Sequence, residues 1–283
     1  MTGIARRVLF SVAALALVAS GCSDDDDGGG GDAGEAATDA GDQTDASEAP
    51  ADAPEPTVVE GAGDITAVVD EYRALLGDDN GGVPETFEEG HREINWDAVP
   101  DEIARPNEYP SDFFNATEEP RARGIVLESE SGQLGVSADS DNPDGAGVRF
   151  GDINPTYADT FQTFSEERLF SPVGSNVVNA TFFVPGTDTP ATIRGFGAVY
   201  TDVDAAESAD FEFFDAEDNS LGTFAVPVSE DGLSFLGVAF DEPIVARVRI
   251  VYGNSELGPD DDEQYDVAVM DDFIFGEPQA QEG

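Results

Sequence analysis

The chain holds a single cysteine, Cys22, and it lies at the end of an apolar leader rather than in the body of the protein. That placement constrains everything after it. One Cys allows no internal disulfide and no multi-Cys zinc site. There is also one His, so a multi-His metal centre is excluded. The part that folds must be held by its apolar core, by a metal on oxygen ligands, or by both. The leader itself runs from Val8 to Val18, behind Arg6 and Arg7, and is broken only by Ser11. It is too short to cross a bilayer, which takes about 20 apolar residues.

After the run come Ala19, Ser20, Gly21 and Cys22. This segment resembles a bacterial lipoprotein signal with its lipobox, although Ala stands where Leu is commoner. The resemblance implies a signal peptide over 1–21, cleavage before Cys22, and lipid on the Cys22 thiol. The partner implied is therefore the membrane, and the location extracytoplasmic, lipid-anchored to the cell envelope. Residues 22–60 read as a disordered acidic linker. From Ser23 to Glu60 there are 13 acids, no bases and no aromatics. Such a stretch cannot bury enough apolar surface to offset its chain entropy. Treated as a flexible chain it reaches at least ~35 Å.

The charge sharpens the reading. Asp and Glu number 61 against 12 basic residues, for a net charge of −49. Removing the 13 linker acids, Arg6 and Arg7 leaves 48 acids and 10 Arg, so the rest carries −38. The acidity belongs to the folded part. Nucleic acid is excluded as a partner, and so is a polybasic hold on anionic lipid. Two explanations stand: a salty habitat in which ions screen self-repulsion, or a set of cation sites.

From Asp64 to Gly77, Ile65, Val68, Val69, Tyr72, Leu75 and Leu76 form one stripe at helical spacing. Asp64 is the expected N-cap and Gly77 the expected C-cap. Residues 61–123 read as this helix plus a loop-rich, proline-containing part of the domain. Residues 124–283 read as a β-sandwich. Strands are expected near 124–128, 133–138, 147–150, 180–185, 192–203, 210–215, 221–227, 233–240, 244–252 and 265–275. In 244–252, Ile244, Ala246, Val248, Ile250 and Tyr252 share one face, while Arg247 and Arg249 take the other. Asp218-Asn219-Ser220 marks a hairpin. Short strands at this spacing give an all-β class, an antiparallel β-sandwich with one N-terminal helix.

Several stretches then match a known pattern: REINWDAVPD (92–101), FGDINPTYADTFQTFSEERLF (150–170), GFGAVYTDVD (195–204), FFDAEDNSLGTF (213–224), GLSFLGVAFDEPIVARVRI (232–250) and VMDDFIFGEP (269–278). Over roughly 88–278 the chain resembles an uncharacterised family of secreted bacterial proteins whose members often end in a PEP-CTERM-type sorting tail. The resemblance implies a jelly-roll-like sandwich and brings no activity or catalytic residue. This chain departs from it by carrying a lipobox and no terminal apolar segment.

Asp271 and Asp272 are the leading site candidates. Strict alternation places Asp271 with Val267, Val269, Phe273 and Phe275, and Asp272 with Ala268, Met270 and Ile274. Both faces are apolar, so at least one carboxylate is buried, and a buried carboxylate must be paired or bind a metal. Ca²⁺ on oxygen ligands is one answer and the cofactor considered; a salt bridge to Arg247 or Arg249, or exposure at a sheet edge, is the other and the favoured one. Asp202 and Asp204, alternating with Tyr200, form a second candidate metal pair. The loop Asp139–Gly145 is one residue too long for a DxDxDG calcium loop. Asp260, Asp261, Asp262 and Glu263 read as a solvated loop. Trp96, Tyr157 and Tyr200 are considered as sugar-stacking platforms, with Trp96 read first as a packed anchor. His91 lies in a polar stretch, and no GxSxG elbow occurs. The expectation is a non-catalytic, calcium-stabilised, glycan-binding module at the cell surface. The alternatives are a structural surface or matrix protein and a carbohydrate-active enzyme.

Overall fold

A computed structural model describes residues 54–259 and 264–281. Cys22, the signal peptide, the linker up to residue 53 and the 260–263 cluster lie outside the described residues.

The strands in chain order are β1 (Thr57–Ala62), β2 (His91–Ile94), β3 (Ile125–Ser129), β4 (Leu134–Val136), β5 (Phe170–Pro172), β6 (Val177–Phe182), β7 (Ala191–Thr192), β8 (Gly195–Val203), β9 (Asp210–Phe214), β10 (Ser220–Ala225), β11 (Ser229–Ala239), β12 (Arg247–Val251), β13 (Val269–Gly276) and β14 (Gln279–Ala280). The helices are α1 (Thr66–Leu76) and a single turn, α2 (Tyr157–Thr160). One sheet has seven strands in the order β1-β11-β8-β13-β5-β4, with β2 also on β13. The other has five, β10-β9-β12-β6-β3. All pairings between these strands are antiparallel. The order β5-β13-β8-β11 against β6-β12-β9-β10, with the chain passing repeatedly from one sheet to the other, is jelly-roll-like. The expected all-β sandwich is the fold found.

Period-two patterning builds the core. Val248 and Ile250 of β12, Phe211 and Phe213 of β9, and Val178 and Ala180 of β6 are fully buried against Phe196, Tyr200, Met270 and Phe273 of the opposite sheet. Full burial of such side chains contributes about 1.5–3 kcal/mol each.

The helix sits on the outer face of the seven-stranded sheet. Ile65, Val69, Tyr72 and Leu76 pack with Val59, Val199, Phe235 and Ile274. Tyr72 drops between two facing glycines, Gly197 of β8 and Gly237 of β11. A Cβ on either would come within 2.7 or 2.6 Å of its ring. Its hydroxyl donates to the Val238 carbonyl at 3.0 Å. These glycines lie in the GFGAVY and FLGVAF stretches, so the seat for the helix is written there.

Four expectations are corrected. Residues 57–60 are not linker: β1 pairs with β11 from Thr57 to Ala62, because Val58-Val59 meets an open sheet edge. Residues 147–150 form no strand; Val148 makes only an isolated bridge to Ala138. The N-cap is Ile65 rather than Asp64, whose carboxylate accepts the Thr66 N–H at 3.4 Å. Gly77 does close the helix, at φ 105°, donating its N–H to the Arg73 carbonyl. The fourth is β2, read as loop because HREI is polar.

Candidate functional site

The ladder between β13 and β8 slips at the two aspartates. Met270 faces Tyr200 and Phe273 faces Ala198, so Asp271 and Asp272 together oppose Val199. This is a β-bulge, and it reverses the facing of the strand. Met270 and Phe273 both enter the inter-sheet core, which strict alternation forbids. The two carboxylates therefore do not take opposite faces. Both lie on the outer side, beneath α1 and the 164–165 segment. The bulge carbonyl of Asp271 accepts the Trp96 indole N–H at 2.7 Å.

Both aspartates are buried, at 0% and 3% exposure. Asp271 Oδ2 accepts the Phe164 and Ser165 N–H groups at 2.6 and 3.2 Å, and Oδ1 accepts the Ser165 hydroxyl at 2.8 Å. The two carboxyl groups also hydrogen-bond to each other. Burial, and then the negative charge of Asp272, pushes Asp271 up to about 8. Burial raises Asp272 as well. At neutral pH the pair holds one proton between its members.

A second ring of charge closes over them. Arg73 of α1 grips Glu93 of β2 through two bonds of 2.6 and 2.9 Å and lies 3.6 Å from Asp272 Oδ2. His91 directs Nδ1 to the Gly77 carbonyl at 2.8 Å and Nε2 to Glu93 at 2.9 Å. Two acceptors face two ring nitrogens, an arrangement that only the imidazolium satisfies fully. Burial opposes that charge, but the Glu93 contact outweighs it and the His91 pKa is raised. Glu93 is held at about 2: burial works against it, and His91 and Arg73 win. Arg73 also reaches Asp70 at 3.5 Å, so cations and carboxylates alternate through the network. The network pins the helix, β2 and the 164–165 segment to β13.

The near cation is thus Arg73. Arg247 and Arg249, expected as the alternative partners, lie on the other sheet. Asp202 likewise serves the backbone, whereas the Asp204 Oδ1 is enclosed without a hydrogen-bond partner and its own N–H donates to Asp266 at 3.3 Å. Asp202 takes a left-handed φ of 67° and accepts the Asp231 N–H at 2.9 Å. It does not share a face with Tyr200, which is buried in the inter-sheet core. Burial, and then Asp266, raises the pKa of Asp204. Among the described residues no three His, Cys, Asp or Glu converge as a metal site requires. In the 139–145 loop, Asp139 is spent on Arg168. Trp96, Tyr157 and Tyr200 are all buried and offer no stacking platform. Trp96 is stacked on Phe170 at 4.3 Å.

Sequence reasoning missed a fully buried charge pair. Arg92, wholly enclosed, meets Glu277 through bonds of 2.7 and 2.8 Å. Its remaining N–H groups reach the carbonyls of Gly81, Val83, Ala122 and Glu85. It stitches the loop before β2 to the chain end. No local pattern links residues 185 apart.

The five-stranded sheet presents a different outer face. One row runs Val126, Thr181, Arg247, Phe214 and Ser220; the next runs Glu128, Asn179, Arg249, Glu212 and Thr223. All of these keep part of their surface in solvent. The Arg247 guanidinium lies 3.7 Å over the Phe214 ring and bonds Asn179 at 3.0 Å and also Asp218. At β3 the face meets a cavity of about 470 Å³, which Glu128 also lines.

Fold and surfaces together define an antiparallel jelly-roll-like sandwich with one roofed and one open outer face. No protein-family model, curated protein or solved structure matches the chain.

Proposed function

We propose that this chain is a lipid-anchored, extracytoplasmic, non-catalytic binding module whose ligand surface is the open face of the five-stranded sheet and whose ligand is a glycan. One observation carries the reading: the ordered rows around Arg247 and Phe214 stay in solvent, while the carboxylates with the most perturbed chemistry are sealed away. Neighbouring strands stand about 4.7–4.9 Å apart, so the rows offer donors, acceptors and a flat ring–guanidinium stack at sugar-like spacing. Asn179, Thr181 and Glu212 provide amide, hydroxyl and carboxylate groups for sugar hydroxyls. The anchor reading rests on Arg6, Arg7, the short apolar run and the lipobox ending at Cys22. The resemblance to secreted surface proteins agrees with it.

The test is retention on immobilised polysaccharides and glycan arrays. The full chain is expected to hold at least one feature, and Phe214→Ala or Arg247→Ala to release it while the melting temperature stays near that of the parent. A chain retained by no glycan sinks the proposal.

A further inference from the structure

In a chain so rich in acids, arginines are generally consumed. Glu93 takes Arg73, Glu277 takes Arg92, Asp152 takes Arg105, and Asp101 and Asp139 share Arg168. Like Arg194, whose Nε is also enclosed without a partner, Arg123 is not consumed. Among the described residues its side chain has no hydrogen bond and no ion pair, and its Nε is enclosed without a partner. We propose that Arg123 and Arg121 form a receptor for an oxyanion, a carboxylate or sulfate substituent. The site stands on its own geometry; that the substituent is carried by a glycan rests on the reading above.

The local backbone builds the site. Arg123 donates its N–H to the Phe114 carbonyl at 2.9 Å, and Asn115 bridges Ala122 in antiparallel register. Arg123 also donates its N–H to the Arg121 carbonyl at 3.0 Å, so the two residues close a tight turn on Ala122. Each guanidinium lies over one of two consecutive rings: Arg121 is 4.9 Å from the Phe113 centroid and Arg123 is 5.5 Å from that of Phe114. A guanidinium backed by a ring is held flat and aimed, so little rotamer freedom is lost when it forks onto an oxyanion. Arg121 is otherwise held only by an exposed, 3.5 Å contact with Glu118. Tyr109 adds a second enclosed donor. It is 3% exposed, its hydroxyl has no partner, and it lies within the field of both arginines. Burial draws the Arg123 guanidinium below its ordinary value, with Asp79 and Glu93 offsetting this only in part. An incoming anion would supply the missing charge.

The surrounding −49 limits what can arrive. A dense polyanion is repelled at long range. A glycan with sparse acidic groups, at salt that shortens the Debye length to about 10 Å, is not.

The experiment uses the full chain, Arg123→Gln and Arg123→Lys. Melting is measured in sodium sulfate and in sodium chloride at equal ionic strength. Sulfate stabilises folded proteins in general, so the readout is the extra sulfate shift of the parent over Arg123→Gln. That excess is expected to be present, and to be smaller for Arg123→Lys, which keeps the charge and loses the fork. In chloride, Arg123→Gln is expected to melt no lower than the parent, because it removes an enclosed unpaired cation. Calorimetry with galacturonate oligomers and their methyl esters then tests the carrier. The acid is expected to bind about tenfold tighter than the ester, the worth of one charge-assisted hydrogen bond, and Arg123→Gln to equalise them. A sulfate shift identical in parent and Arg123→Gln overturns the site, whatever the oligomers do. A site-dependent sulfate shift with neither oligomer bound removes the glycan as carrier and leaves the site. Equal binding of acid and ester removes the acidic substituent and leaves the glycan reading.

Discussion

The two sheets are built by the same alternation and finished in opposite ways. The seven-stranded sheet buries both faces. Its outer side takes a helix, a tyrosine seated between two glycines, and a cluster of ionisable groups paired with one another. The five-stranded sheet buries one face and leaves Arg247, Arg249, Phe214, Glu212 and Asn179 partly in solvent. A roofed face must settle its charges internally, because a lone buried ion is far costlier than a paired one. An open face has no such requirement and can keep polar groups available. The most strongly shifted carboxylates, Glu93 and Asp271, therefore lie on the roofed side.

The largest effect that would break this contrast comes from the sealed side. Glu277→Ala leaves Arg92 enclosed and unpaired, and the expected loss is about 3–5 kcal/mol. Denaturant melts check it; a loss no greater than that of an exposed site would mean that Arg92 finds water or another acceptor. Next is the helix seat. Gly237→Ala sets a methyl 2.6 Å from the Tyr72 ring, and overpacking of this kind costs about 1–3 kcal/mol.

Asp271→Asn has an effect with a distinctive sign. Folded Asp271 keeps its proton to about 8, while its ordinary value is 3.8. Between those values the folded chain binds the extra proton, so this group's contribution to stability falls as pH rises. Asn is neutral throughout. The variant should therefore gain on the parent steadily from pH 5 to pH 8 in paired melts, and a constant difference would contradict the shared proton. Smallest of all is the effect of calcium. Oxygens of Asp271 are taken by Phe164 and Ser165, and Asp272 faces Arg73. Equal melting midpoints in EDTA and in excess Ca²⁺ are expected, and a rise that Asp272→Asn abolishes would restore the calcium reading.

Much of the open side was legible. The alternation in 244–252 placed Arg247 and Arg249 on the outer face, and the Asp218 turn fell where expected. The helix stripe was legible too. Burial of Asp271 and Asp272 followed from two apolar faces, yet their orientation did not. A one-residue bulge flips facing, and nothing local announces it. The partners were also hidden. Arg73, Glu93 and His91 meet β13 only because β2 pairs with a strand some 180 residues further along the chain, and β2 reads as loop because its polar residues face a local network. In β1, Val58-Val59 is too short to signal a strand without β11 beside it.

The sharpest measurement sets Phe214→Ala beside Asp271→Ala, each assayed for glycan retention and for melting temperature. The account predicts a crossed result. Phe214→Ala loses the glycan and keeps its melting temperature, whereas Asp271→Ala melts lower, by about 1–3 kcal/mol of lost stability, and still binds while folded. Retention that survives Phe214→Ala but fails in folded Asp271→Ala would place the binding site on the roofed face and contradict the account.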